Sequence, residues 1–302
     1  MLVDYGPYEL QPDKLMIMPA ERGSVKLPPG RLITAVRMET SDGAGRPLER
    51  EFICHNNVGP DFARFEHGRK MLLDGYTREI RLPDGFAMAP QRRDFLTELM
   101  YNNPGSSPLR GVKTRFTFEL AASSAGLTAL YPQMLSVFEQ PADVAAGFWG
   151  YYVLPGAKDS RRRLFDVLQD YRVHHVSFHI HDRGRRILLK DLSTGVALVD
   201  ARPVYEGGKM AYVPQISVAK GLDLRRGTVL ELTVDYDNPG PKAIDAMGAA
   251  ILFGRCLKGA PDCEAVAQRP ADNAWFDAKV YYPLIGETPP AAASEHARHH
   301  RH

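Results

Sequence analysis

An all-β protein made of two jelly-roll-like antiparallel β-sandwiches is what this sequence predicts. Short runs rich in Val, Ile, Thr, Tyr and Phe recur along the chain, and clusters of Gly, Pro, Asn and Asp separate them. Helical periodicity is weak and brief. The dozen or so runs exceed what one compact sandwich needs, and 302 residues with 44% hydrophobic content can bury two cores.

In the first half the runs fall at 31–40, 78–82, 95–101, 112–120 and 127–138, each holding β-branched or aromatic residues between turn formers. In the second half they fall at 148–154, 171–181, 186–192, 196–204, 209–216, 228–237, 247–253 and 278–282. Residues 161–171 are the best helical candidate, and read equally well as the lead-in to the strand at 171–181. Turn residues at Pro155-Gly156-Ala157-Lys158-Asp159-Ser160 and, earlier, at Pro141-Ala142-Asp143 mark the boundary between the halves. The expected division is 1–145, 146–285 and a low-complexity, disordered, His-rich tail over 286–302.

A net charge of +2 with both signs mixed along the chain argues against nucleic acid and membrane surfaces as partners. No run approaches the roughly 18 apolar residues of a membrane span, and the first residues lack a signal sequence, so the chain reads as soluble. Cys256 and Cys263 flank a Gly/Pro-bearing stretch and are expected to form a disulfide, which fits an oxidising compartment. Cys54 has no evident partner and is either a buried thiol or a soft metal ligand.

The chemistry-bearing segment is Val176-Ser177-Phe178-His179-Ile180-His181-Asp182. On a strand, alternation puts His179 and His181 on one face about 6–7 Å apart at the backbone, so the two imidazoles can converge on one ion. Met247 offers a soft thioether later in the chain, and a His-His-thioether set suits copper better than zinc, calcium or magnesium. Asp182 either orients the imidazole of His181 or serves as a turn residue. His175 reads as surface or outer shell, His67 as a surface loop residue, and Tyr151 and Tyr152 beside Trp149 as sheet core.

Three β-rich metal families use a His-x-His strand. Copper,zinc superoxide dismutases need further histidines downstream, and after His181 none occurs before His296. Cupins need a glutamate shortly after the pair, where this chain has Arg183, Gly184, Arg185 and Arg186. The third resemblance holds better. His179-Ile180-His181 followed by Asp245-Ala246-Met247 resembles the C-terminal domain of the type II copper, ascorbate-dependent monooxygenases, the peptidylglycine and dopamine hydroxylase family. The stretches 75–86 and 95–103 resemble the segment leading to the third ligand of that family's other copper.

This resemblance implies copper at His179, His181 and Met247, with Asp245 and Asp182 behind the ligands, in a periplasmic or secreted protein of bacterial type. It implies a second site at Cys54, His55 and Met100, where the family has adjacent histidines and a third histidine; here that site is either a rebuilt soft Cu(I) site or a metal-free pocket. Ser177 stands where the family clamps a peptide carboxylate with arginine, which disfavours a peptidylglycine substrate. The expected activity is hydroxylation of a C–H bond of a small or peptidyl substrate with dioxygen and an external reductant. The alternatives are a non-catalytic copper carrier and a β-sandwich binding module without chemistry.

Overall fold

The computed structural model describes residues 1–12, 15–18, 25–59, 70–89, 94–137 and 151–269. Its first ten strands are β1 (Leu2–Leu10), β2 (Leu15–Met18), β3 (Val25–Lys26), β4 (Arg31–Ser41), β5 (Ile53–Gly59), β6 (Met71–Leu73), β7 (Glu79–Arg81), β8 (Phe86–Met88), β9 (Asp94–Asn102) and β10 (Leu109–Ala122). Next come β11 (Thr128–Val137), β12 (Tyr151–Val153), β13 (Lys158–Val167), β14 (Tyr171–Ile180), β15 (Gly184–Asp191) and β16 (Ala197–Ala201). The last are β17 (Val204–Glu206), β18 (Lys209–Tyr212), β19 (Ile216–Leu224), β20 (Val229–Asp237), β21 (Ile244–Ala246), β22 (Gly248–Cys256) and β23 (Val266–Gln268).

Two sandwiches with the same strand plan result. In the first, β1-β10-β4-β8 packs on β2-β9-β5-β6; in the second, β11-β22-β14-β19 packs on β16-β15-β20-β13-β23. In each, the first and last long strands are neighbours and the chain crosses repeatedly between the two layers, the wrapping of a jelly roll. A short parallel pairing of β8 with β11 (Phe86↔Thr128 to Met88↔Leu130) joins the two inner sheets into one.

That shared sheet has a core on each face. From Met247 into β22, Met247, Ala249, Ile251 and Phe253 belong to the apolar cluster of the first sandwich, while Ala250 and Leu252 belong to that of the second. Alternation with period two sends successive residues to opposite faces, so a strand between two cores has no solvent side. β14 is the clearest case: apart from Arg172 it is buried throughout, with Val176, Phe178 and Ile180 in the second core. Its other face carries His175, Ser177 and His179 toward the first sandwich. Leaving a buried polar group unpaired costs roughly 1–3 kcal/mol, yet Ser177 Oγ and His179 Nε2 on this face have no hydrogen-bond partner.

The structure departs from the sequence expectation in several places. Residues 161–171 form no helix; Lys158–Val167 is a strand paired with β20 and β23, with burial rising on alternate residues toward its end. Pro214 divides the expected run at 209–216 into β18 and the first residue of β19, since a proline cannot continue a ladder. His175 is buried, its ring within bonding distance of Ser217 Oγ (3.0 Å) and Gln215 Oε1 (2.8 Å), and so is not a surface residue. Cys256 and Cys263 form a disulfide across a Cα–Cα distance of 6.1 Å. The expected division at 145/146, the strand at 278–282, the tail, His67 and Trp149 lie outside the described residues. Among the described residues no helix is long and apolar enough to cross a membrane.

Candidate metal centre

Cys54, His55, His179 and His181 come together between the two sandwiches. β14 holds His179 and directs it and the following His181 to the same side; their ring centroids lie 5.0 Å apart. β5 supplies the other two through an irregularity in its pairing with β9. Ile53 pairs with Tyr101 and His55 with Met100, so Cys54 is an extra residue in the ladder. Such a bulge re-aims side chains, and here adjacent residues that would otherwise point to opposite faces both reach the centre. Cys54 Sγ is 3.4 Å from His55 Nδ1 and 3.9 Å from His181 Nε2, and the His55 and His179 rings are 5.2 Å apart.

The thiol and the ring nitrogens of Cys54, His55 and His181 offer ligand atoms within 4.8 Å of one another. Carboxylates fix His179 of β14 and His181 just beyond it from behind. His179 Nδ1 lies 2.5 Å from Oδ2 of Asp74, and His181 Nδ1 lies 2.7 Å from Oδ2 of Asp245. With Nδ1–H donating to the carboxylate, each ring presents Nε2, the arrangement common behind metal-bound histidines. Nε2 of His179 is buried and has no hydrogen-bond partner.

Asp74 is itself rigidly placed. Its Oδ1 accepts backbone N–H groups of Tyr76 (2.6 Å) and Thr77 (2.5 Å), closing the turn after β6, while its Oδ2 faces His179. Asp74 and His179 are each 1% exposed in their side chains, whereas Asp245 lies at a more open edge with 52% of its side chain exposed.

These surroundings set the protonation states. Burial pushes His55 well below the usual histidine range, and any charge on His179, His181 or Lys70 adds to the effect. Burial also lowers His179, against the opposing pull of Asp74. For His181 burial acts in the same sense, but the Asp245 charge and hydrogen bond, together with Cys54, outweigh it and hold the ring well above its ordinary value. His55 and His179 are therefore neutral donors at physiological pH, and His181 carries a proton that a metal ion must displace.

The histidines of the two ligand sets expected as separate sites, together with Cys54, thus come into one cluster. Met100 is the cross-strand partner of His55 and is buried. Met247 sits between β21 and β22, on the face it shares with Ala249 and Ile251, and its carbonyl is approached by the His181 N–H at 3.4 Å. Asp245 orients His181; Asp182 does not, lying 3.4 Å from Arg183 instead. Asp74 escaped sequence reasoning, because Asp74-Gly75 carries only a turn signal and its histidine lies 105 residues on. Lys70, Glu98 and Asn57 beside His55 also carried no signal, although Asn57 bonds Glu98 at 2.8 Å and Lys70 interacts with both His55 and Glu98.

No family model and no curated protein matches the chain. Among solved structures, a chain of the Sulfolobus turreted icosahedral virus aligns over 99% of this chain and 96% of its own, at 11% identity and a TM-score of 0.32.

Proposed function

We propose that the protein binds one copper ion between its two sandwiches, with Cys54, His55, His179 and His181 as the donor set and Met247 and Met100 as neighbouring thioethers. The observation that carries this reading is the buried, unpartnered Nε2 of His179, whose Nδ1 is committed to Asp74. An orphaned imidazole nitrogen among a thiol and two further imidazoles is what a metal ligand looks like without its ion. One thiol with several imidazoles, and methionine close by, is a set that favours copper among the common biological metals. Copper in such a site would supply one-electron chemistry or be held for transfer.

Between these uses, the donor set supports retention of Cu(I) by a carrier or electron-transfer protein. Cys54, His55 and His181 bring ligand atoms within 4.8 Å of one another, the His179 ring stands 5.0 Å from that of His181 and 5.2 Å from that of His55, and both His55 and His179 are buried. The monooxygenase reading draws on one specific feature, the backbone pairing of His181 with Met247, and requires an open coordination position for dioxygen and a bound substrate.

Metal analysis tests the proposal on full-length protein in which His296, His299, His300 and His302 are replaced by alanine. One tightly bound copper, lost in His179→Ala and in Cys54→Ser, is expected. Absence of stoichiometric copper, or stoichiometric zinc that copper does not displace, overturns it. Reductant-dependent oxygen consumption that disappears in Met247→Ala would select the monooxygenase reading; tight Cu(I) without turnover selects the carrier.

A further inference from the structure

Tyr236, a residue of β20 in the opposite sheet of the second sandwich, is 2% exposed and reaches across the core to the end of β14. Its phenol donates to the Met247 carbonyl at 2.6 Å and accepts the backbone N–H groups of His181 at 3.0 Å and Met247 at 3.1 Å. The regular β14–β22 ladder ends one step earlier, at Ile180↔Gly248. Beyond it the direct contact from His181 N–H to Met247 O is long, 3.4 Å, and shares its acceptor with the phenol. One hydroxyl therefore takes over from the ladder where a proposed ligand and a proposed thioether neighbour leave it. Its surroundings are tight as well: a Cβ added at Gly248 would collide with Val234, two residues before Tyr236 on β20.

We propose that Tyr236 is a positioning residue of the metal centre, fixing the backbones of His181 and Met247 relative to each other without touching the ion. The inference rests on the copper reading above. It follows from the stiffness of the alternatives. His179 is held by the β14 ladder and by Asp74, but His181 lies past the last paired residue, and the backbone it hangs from is set by the phenol. A ligand whose backbone can drift by a fraction of an ångström loses affinity without loss of fold, because coordination is more sensitive to geometry than core packing is.

The test compares two tyrosine-to-phenylalanine variants of the full chain. Tyr171, at the other end of β14, is also fully buried and donates its one hydroxyl proton to Tyr131 O (2.5 Å), with Leu252 O a second acceptor at 3.2 Å, so Tyr171→Phe removes a similar buried hydroxyl away from the centre. Both variants should be destabilised. Only Tyr236→Phe should lose Cu(I) affinity, on the order of 10–100-fold in a competitive chelator titration, with a shifted thiolate-to-Cu(II) absorption band. Equal affinities in wild type and Tyr236→Phe overturn the inference, as does an equal loss in Tyr171→Phe. Should Tyr236→Phe fail to fold, 3-fluorotyrosine placed at position 236 keeps the ring and hydroxyl, and should give a smaller loss in the same direction; no loss overturns the inference. If wild type takes up no copper, the copper reading fails first and this inference with it, whereas a copper-binding wild type with an unaffected variant sinks this inference alone.

Discussion

His179 of the second sandwich is held by Asp74 of the first, with Nδ1 2.5 Å from Oδ2 and both side chains 1% exposed. The carboxylate decides which ring nitrogen carries the proton, and so which one faces Cys54, His55 and His181. Asp74→Asn should therefore cost twice. The amide can turn its N–H₂ toward the ring and reverse the tautomer, lowering copper affinity on the order of 10–100-fold. The less basic acceptor weakens the turn at Tyr76 and Thr77, with a stability loss of about 1–3 kcal/mol in metal-free protein. Chelator titration and urea unfolding separate the two losses, and unchanged affinity would show that Asp74 does not orient a ligand.

Acid should unfold the metal-free protein early. Burial lowers His55 and His179 in the folded state, whereas both regain the ordinary value near 6.5 when unfolded. Below about pH 6.5 the unfolded chain then binds more protons, so the stability these groups allow is present above that pH and falls as pH drops through it. His55→Phe should shift the loss to lower pH in urea titrations at pH 5 to 7. A pH profile identical to wild type would mean that the His55 ring is not held neutral by the fold.

The opposite edge of the centre has the opposite sign. His181 is held well above the usual value by Asp245, so its contribution is complete below about pH 6.5 and is lost as pH rises through its elevated folded value. Asp245→Asn should abolish that alkaline loss and ease copper uptake near neutral pH, since the proton to be displaced is then less firmly held. Copper affinity measured at two pH values checks it; an unchanged pH dependence in the variant would exclude His181 as the titrating group.

Lys70 gives a third pH signature. Burial, only partly offset by Glu98, brings its pKa down to about 8. Its unfolded value is about 10.4, so folded protein gains stability as pH rises from about 8 to about 10.4. Lys70→Met should flatten that rise in unfolding curves at pH 8, 9 and 10. Equal slopes in both proteins would place the ammonium in water.

Opening the Cys256–Cys263 disulfide, whose partners are seven positions apart, should remove the loop-closure constraint of a short ring, about 2.5 kcal/mol in the chain-entropy treatment. Reduced and oxidised protein compared in urea, or Cys256→Ser with Cys263→Ser, measures it. The copper affinity should not change, because this loop is remote in sequence from every donor and its strand end lies beside Tyr171 rather than His181.

What could be read in advance followed local rules. Runs of β-branched and aromatic residues between turn formers announced β4, β10, β11, β14 and β20, and the two-residue period of a strand put His179 and His181 on one face. The same reading missed the strand at Lys158–Val167, where three consecutive arginines interrupt the apolar run and burial grows only toward Val167. The cluster itself was only half legible. Pairing Cys54 and His55 with His181 depends on one extra residue in β5 and on how two sandwiches dock, and neither leaves a periodic trace. Asp74 and Tyr236 were invisible for the same reason, each acting across the fold on a residue far along the chain.

The parallel contact of β8 with β11, three residue pairs long, has a consequence for the order of assembly. During synthesis Cys54 and His55 emerge well before His179 and His181, and the strand that bridges the halves, β11, gains its main partner only when β22 is made. Contacts of such long range form late, after the local hairpins, because the intervening chain must first be closed into a loop. A newly made first half thus carries a thiol and one imidazole without their partners. Copper capture would then be a terminal event, and stoichiometric loading would report that both halves had folded and docked, a quality check written into the order of the strands.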